Sequence, residues 1–491
     1  MAAPIETELK LILSEAARRR LPESETLRAA SAGEPKRAHI VTTYWDTPDH
    51  ALARRGLSLR VRAQGRQRLQ TIKAPDAAGA AMQRREWEQP ITGDAPDLAL
   101  AAGTPIAEFA GAAFAPILTT DVTRTTRMLK VNDARIEADL DEGEIRAGGR
   151  SEPIRELELE LRHGSPDALY RLALALHAEA PIAIATESKA ARGLRLLAGT
   201  PPQPRKAAPQ RLREGMSGAE AFRRIMAEAL GQLVANAAAV SAGHPEGVHQ
   251  LRVAATRLRT ALRLFTPLLD KASVARFERE LRALARRVGR ARDWSVFCDA
   301  LLPEVIAESA PVEWSELLAD AARRQRDDAF AQAAAAVGEP PFARLALSLG
   351  AWVESARDTR LDPPIESLAP GLIGRLSRKA RQRSRDAQDG DPTALHELRK
   401  ALKRLRYGLE FLAGVYEFAA KDGKRIQKLL KRLGQLNDAQ TAARLAQSLS
   451  LRRRGLAPAA AALAARRDRQ QRDDLPRIER GARKSLKSLN R

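Results

Sequence analysis

The sequence predicts an α+β chain in two parts: an antiparallel β domain, then a separate all-α helical bundle with an internal repeat. Three observations carry this. Over roughly the first 200 residues, charged and apolar residues alternate with period two in many short stretches. After a proline-rich stretch the period changes to 3.6, in sequence rich in Ala, Leu and Arg. Within that second part, helical segments recur at an offset of 147 residues.

The chain has 491 residues, enough for two or more domains with cores of their own. Its apolar fraction of 44% marks it as globular. A single cysteine, Cys298, excludes an internal disulfide framework and a multi-cysteine metal site. The first residues carry acids early and lack the basic start and apolar stretch of a secretion signal. No apolar run is long enough to span a bilayer, so a cytoplasmic protein is expected. The net charge of +22 is unevenly placed. Residues 1–200 hold 28 basic and 28 acidic residues, whereas residues 201–491 hold 55 and 33. The second half is therefore expected to attract a polyanion: nucleic acid, an anionic membrane surface or polyphosphate.

The first domain, residues 1–200, is read strand by strand. In residues 5–10, Glu6, Glu8 and Lys10 share one face. Arg60 and Arg62 face away from Leu57, Leu59 and Val61, and residues 71–73 continue the pattern through Lys73. Arg84, Glu86 and Glu88 share a face opposite Trp87. Glu137, Asp139 and Asp141 oppose Ile136, Ala138 and Leu140; Glu156, Glu158 and Glu160 oppose Leu157, Leu159 and Leu161. Arg124 lies on a further strand, and Lys189 and Arg192 follow a helix-like stretch. Two arrangements satisfy this pattern. One is an antiparallel sheet with a solvated polar face. The other is a barrel with its charges inside, where dry burial is prohibitive, so the interior is wet and holds an ionic ligand. The faces are nearly pure Glu or Arg rather than mixed polar, which leans toward the second.

These stretches, in this order, resemble the CYTH domain, also called the triphosphate tunnel metalloenzyme fold. The likeness rests on Glu6-x-Glu8-x-Lys10, residues 44–47 (Tyr-Trp-Asp-Thr, with Trp where the family has Phe), Arg60-Val61-Arg62, Thr71-Ile72-Lys73, and Arg84 with Glu86 and Glu88. Asp141-Glu142-Gly143, residues 156–160 and residues 188–193 complete it. The stretch from Tyr44 to Leu59 looks most like the bacterial inorganic triphosphatase branch. The resemblance implies a closed antiparallel barrel that binds a linear triphosphate. By it, Lys10, Arg60, Arg62, Lys73, Arg124 and Lys189 would cradle phosphates, Arg127 being the alternative to Arg124. Glu6, Glu8, Asp141, Glu158 and Glu160 would hold Mg²⁺ or Mn²⁺, hard cations that prefer oxygen. Glu86 and Glu88 would orient bases or share a second metal, and Glu156 would sit at the rim. Catalysis would fall to Glu6, Glu8, Lys10, Glu86 and Lys189. Relatives in the superfamily also cyclise ATP, hydrolyse thiamine triphosphate or polymerise polyphosphate.

Pro201, Pro202, Pro204 and Pro209 mark a linker over 201–214, and the helical domain follows over 215–491. Helices are predicted over 217–241, 247–269, 273–300, 314–336, 341–358, 367–387, 393–419 and 422–449, with more beyond. His249-Gln250-Leu251-Arg252 recurs as His396-Glu397-Leu398-Arg399, and Arg257-Leu258-Arg259 as Arg404-Leu405-Arg406. Leu284, Arg287, Gly289 and Asp293 recur as Leu429, Arg432, Gly434 and Asp438. Two copies of one helical unit explain this. Like charges packed on one helix face repel, which a shared anion would offset. This half resembles the CHAD domain, the conserved-histidine helical domain often joined to CYTH. His249 and His396 match its histidines; Arg252, Arg257, Arg259, Arg399, Lys400, Lys403, Arg404 and Arg406 match its basic positions. It departs where Thr256 stands opposite Lys403. The resemblance implies binding of inorganic polyphosphate. An aromatic content of 4% leaves few stacking platforms, which argues against a reader of single-stranded nucleic acid.

The expected function is metal-dependent hydrolysis of inorganic triphosphate to pyrophosphate and phosphate, with polyphosphate bound by the helical domain. The alternatives are a non-catalytic polyphosphate scaffold, an adenylate cyclase and a thiamine triphosphatase.

Overall fold

The computed structural model describes residues 5–75, 83–109, 111–185, 187–209, 211–308, 313–356, 358–417 and 420–487. The chain forms two compact units. One takes in Met1–Arg205, Leu230–Ala242 and Gly338–Ala356; the other takes in Lys206–Ala229, Gly243–Val337 and Arg357–Arg491.

The first unit is built on an antiparallel sheet of nine strands: β1 (Ile5–Leu13), β2 (Lys36–Asp46), β3 (Ser58–Gln64), β4 (Gln67–Pro75), β5 (Gln83–Ile91), β6 (Ala115–Val131), β7 (Ala134–Ala147), β8 (Arg150–His163) and β9 (Ile182–Ile184). Their order is β5-β4-β3-β2-β6-β7-β8-β1-β9, and β1 also pairs with β5 at Ile5–Arg85, Glu6–Arg84 and Thr7–Gln83. Two-residue turns fix the register of the long strands. Asn132 (φ 52°) opens the β6–β7 turn, and Gly148 and Gly149 (φ 56° and 73°) form the β7–β8 turn, the left-handed geometry that tight hairpins need. Gly143 has a different reason: a Cβ there would lie 2.0 Å from the Asp121 carbonyl oxygen of β6.

The register lines charges up in rows across β7, β8 and β1. Glu137 faces Glu160, which faces Glu8; Asp139 faces Glu158, which faces Lys10. Arg124 on β6 faces Asp141, which faces Glu156. The opposite face is apolar and covered by helices. The unit's helices are α1 (Glu15–Arg20), α2 (Glu25–Ala30), α3 (Ala51–Arg54), α4 (Asp167–Glu179) and α5 (Lys189–Ala198). Leu9, Leu11, Ile136, Leu157 and Leu159 pack with Leu169, Leu172 and Leu176 of α4. Leu347, far along the chain, joins the same core. On the charged side, α5 packs against Ile40, Leu118, Val122, Ile145 and Ile154 through Ala190, Leu194 and Leu197. Gly193 makes this possible, since a Cβ there would meet the Leu118 side chain at 2.6 Å.

The remaining helices are α6 (Gly218–Ala235), α7 (Ala237–Ser241), α8 (Pro245–Phe265), α9 (Lys271–Arg287), α10 (Gly289–Val296), α11 (Leu302–Glu308), α12 (Trp314–Gly338), α13 (Pro340–Ser355), α14 (Ile365–Asp386), α15 (Pro392–Phe411), α16 (Ala420–Ser450) and α17 (Ala457–Lys487). The helix predicted over 273–300 is divided: α9 ends at Arg287, α10 starts at Gly289, and a π-helical turn spans Phe297–Leu301. The repeat is visible in α8 and α15, each opening on a proline and ending on a phenylalanine. Each buries one apolar face, Val248, Leu251, Leu258 and Leu262 in one and Leu395, Leu398, Leu402 and Leu405 in the other. No described helix is long and apolar enough to cross a membrane.

Candidate functional site

The charged face of the sheet lines a cavity of about 160 Å³. Glu8, Lys10, Arg60, Arg62, Lys73, Glu86, Glu88, Arg124, Asp141, Glu158, Glu160 and Lys189 all border it. The strand residues arrive by alternation along β1, β3, β4, β5, β6, β7 and β8. Lys189 comes from the first turn of α5, whose N-cap Ser188 accepts a hydrogen bond from the Ala191 N–H.

Most of the cations are matched by carboxylates. Lys10 reaches Glu158 at 2.9 Å and Glu8 at 3.2 Å. Lys189 meets Asp141 at 2.9 Å and both Glu156 and Glu158 at 2.8 Å. Arg124 donates two parallel bonds of 2.7 Å to Asp141 and one of 3.0 Å to Glu158, and it also pairs with Asp139. Glu86 lies 3.2 Å from both Arg60 and Lys73, and Thr71 donates to Glu88 at 3.0 Å. Arg62 is different, because no carboxylate pairs with it among the described residues.

The titration behaviour follows this pairing. Burial opposes the charge on Lys10, but Glu158 and Glu8 outweigh it and hold the ammonium pKa above its ordinary value. Lys189 is likewise raised, with Glu158, Asp141 and Glu156 overcoming burial. Burial pushes the Glu158 carboxyl up, yet Lys10, Lys189 and Arg124 bring it well below the usual range. The neighbouring Arg60, then burial and Arg124, depress Arg62.

Three of the expected positions need separate comment. The Glu6 backbone lies on β1 opposite Arg84, and its side chain is outside the described residues. Arg127 points away from the cavity and donates to the Pro22 carbonyl at 3.3 Å, because strand parity gives the inward position to Arg124. Glu156 is not at a rim: it is 1% exposed, between Lys189 and Arg192. Glu137, Asp139 and Tyr44 also border the cavity and were not singled out as site residues. The acids of β7 carried the signal by alternation, but only the register reveals that Glu137 is level with Glu160 and Glu8.

This bears on which residues suit a metal. Both oxygens of Asp141 and both of Glu158 are engaged by cations. Among the described residues, no three acidic or histidine side chains converge as a ready ligand set. Glu8 and Glu160 stand directly opposite each other with Glu137 beside them; Glu8 meets Lys10 at 3.2 Å, and Arg162 meets Glu160 at 2.6 Å and Glu137 at 3.0 Å. An all-carboxylate set of this kind fits a hard divalent cation.

The second unit carries its own polar cavity of about 630 Å³. His249, Arg252, His396, Arg399 and Lys403 line it, joined by Arg292 and Arg444. The other basic positions lie outside it. Arg257 is buried over the Phe411 ring at 4.9 Å and pairs with Glu228 and Glu410. Lys400 pairs with Glu397 at 2.7 Å, Arg406 with Glu410 at 3.3 Å, and Arg259 and Arg404 stand near Arg263. In the cavity the shifts run opposite to those of the sheet unit. Burial, then Arg399, Arg406 and Arg252, bring Lys403 down to about 8. Burial and Arg292 lower His249; burial and Lys400 lower His396, which also meets Asn437 at 3.0 Å. Burial raises Asp438.

The family model of the CYTH domain matches residues 4–194, and that of the CHAD domain matches residues 224–447. The chain is 31% identical over 191 residues to an inorganic triphosphatase of Haemophilus influenzae; the match covers 38% of this chain and 54% of that protein. The chain therefore spans about half the length of that relative. It is 29% identical over 429 residues to an uncharacterised protein of Mycobacterium tuberculosis, covering 79% of this chain and 78% of that one. Among solved structures, the CHAD domain of the plant Ricinus communis matches 57% of this chain and 96% of its own, at 29% identity and a TM-score of 0.51.

Proposed function

This chain is a CYTH–CHAD protein, and on that premise we propose that its sheet unit hydrolyses inorganic triphosphate to pyrophosphate and phosphate while its helical unit binds polyphosphate. One observation carries the first part: seven cations border a single small cavity, and among the described residues no carboxylate pairs with one of them, Arg62. The relative named as an inorganic triphosphatase supports the choice of substrate. The β1–β5 pairing supports a sheet that closes into a tunnel around it.

The residues divide the work. Arg62 and Arg60 grip phosphate oxygens with paired N–H groups, and Lys73, Lys10, Lys189 and Arg124 neutralise the rest. Glu86 sits between Arg60 and Lys73 and orients both. Glu158 and Asp141 hold Lys10, Lys189 and Arg124 charged and aimed into the cavity before substrate arrives. Glu8 and Glu160 would hold Mg²⁺ or Mn²⁺, which would polarise the phosphate oxygens. A water attacks the terminal phosphorus in line; its P–O bond forms as the bridging P–O bond breaks, and pyrophosphate leaves with its charge matched by the cations.

The test is phosphate release from inorganic triphosphate, ATP and long-chain polyphosphate, each with Mg²⁺, Mn²⁺ or EDTA. The expected result is metal-dependent turnover of triphosphate, lost in Glu8→Gln. No turnover of any of the three, or full activity in Glu8→Gln, refutes it.

In the helical unit, Arg252, Arg399, Lys403 and the two histidines crowd one cavity at an electrostatic cost that a polyanion removes. Tight binding of polyphosphate by the wild-type chain, weakened in Arg399→Ala, is expected in calorimetry.

A further inference from the structure

Beside the basic cavity of the helical unit lies a smaller one of about 260 Å³. The two share Leu301, Asp438, Ala442 and Arg467 in their walls. Their chemistry differs. The larger cavity concentrates arginine, lysine and histidine. In the annex, Arg466 is matched by Glu304 at 2.8 Å and Arg467 by Asp468 at 2.7 Å. What remains is apolar surface from Val305, Ala439 and Leu463, and the amides of Gln435 and Gln470. An inorganic phosphate chain gains nothing from such a wall, because each of its units carries charge that needs a cation or water. The annex suits a neutral group with a flat apolar face and an edge of hydrogen-bond donors and acceptors, to which amides can both donate and accept. Together the two cavities fall within the roughly 300–1,000 Å³ of ligand pockets. The wall between them includes Leu301, the last residue of the π-helical turn, a local distortion that recurs at functional sites.

We infer that the helical unit binds a nucleoside 5′-polyphosphate, with the phosphates on Arg252, Arg399 and Lys403 and the nucleoside in the annex. This rests on the anion-binding reading of the larger cavity. Asp438, at the junction, has a carboxyl pushed upward by burial and faces the charges of Arg399, Arg292 and Lys403. Leu463 and Val305 take the face of the base, and Gln435 and Gln470 read its edge.

Photolabelling the full chain with 8-azido-ATP in EDTA, followed by peptide mapping, locates the base and separates this site from the sheet unit. The expected result is label within residues 301–305 or 463–470, displaced by excess tripolyphosphate. In the Gln435→Ala/Gln470→Ala variant that label falls about tenfold, while any label in the sheet unit is unchanged. Gln435 is exposed and Gln470 half-buried, neither in the core, so the variant folds. No label in these segments, while tripolyphosphate still binds the wild type more tightly than Arg399→Ala, overturns the annex alone. Label there that tripolyphosphate does not displace overturns the basic-cavity reading and this inference with it.

Discussion

Lys403 is a charge the helical unit keeps against its own stability. Its ammonium, crowded by burial and by Arg399, Arg406 and Arg252, titrates near 8 rather than 10.5. One pKa unit corresponds to about 1.4 kcal/mol, so a charged Lys403 costs the fold roughly 3 kcal/mol at neutral pH. The sign follows from proton binding. Between pH 8 and 10.5 the unfolded chain holds the lysine proton and the folded chain has lost it, so stability rises with pH across that window. Replacing Lys403 by Met removes the charge and keeps most of the volume. Urea unfolding at pH 7 should then show Lys403→Met more stable than wild type by about 3 kcal/mol, an advantage that shrinks above pH 8 and vanishes near 10.5. Polyphosphate affinity should fall in the same variant at pH 7. A variant less stable than wild type at pH 7, or one whose advantage does not change with pH, would refute the reasoning.

The sheet unit offers contrasting perturbations. Arg62→Ala breaks no ion pair among the described residues and relieves repulsion from Arg60, so its stability should stay within about 1 kcal/mol of wild type while kcat/KM for triphosphate falls roughly 10- to 100-fold, the worth of a charged hydrogen bond. Arg124→Ala instead strips the main partner from Asp141, which is 0% exposed, and should cost about 3–5 kcal/mol in chemical denaturation. Gly350→Ala places a Cβ 2.3 Å from the buried Tyr170 ring; overpacking of this kind costs about 1–3 kcal/mol, read as a lowered melting temperature.

The strands were legible because their charged faces are long and pure, and period-two alternation survives any context. Parity alone placed Lys10, Arg60, Arg62, Glu86 and Glu158 on the inward face. Parity could not say which residues are level with one another. That depends on the turns at Asn132 and Gly148–Gly149, and it decides that Glu160 neighbours Glu8 while Glu158 neighbours Lys10. It also decides the pairing of the carboxylates: Asp141 and Glu158 hold Arg124 and Lys189, whereas Glu8 meets Lys10 and Glu160 meets Arg162. On the helices, a repeat motif of ten basic and histidine positions marked both copies without separating their faces. Arg257 and Arg406 share the motif with Arg252 and Arg399, yet they turn toward Glu410 and the rings of Tyr407 and Phe411. The place of Leu347 and Gly350 in the first unit's core had no local signal either, since an apolar helix face does not name its partner.

The two cavities are thus built on opposite electrostatic plans. In the sheet unit, Lys10 and Lys189 are held above their ordinary pKa by carboxylates already in place. On the proposed reading, an entering triphosphate would displace those partners and gain from geometry more than from unmet charge. Such a site keeps its lysines charged across the neutral range and would discriminate by fit, which suits chemistry on one short substrate. In the helical unit, Lys403, His249 and His396 are depressed by their neighbours. An arriving polyanion raises all three, so binding takes up protons and strengthens as pH falls. The number of protons taken up, measured by calorimetry in buffers of different ionisation enthalpy, should be positive for long-chain polyphosphate near pH 7.5. It should fall toward zero in a variant lacking Lys403 and both histidines. Uptake that persists undiminished in that variant would mean the polyanion sits elsewhere.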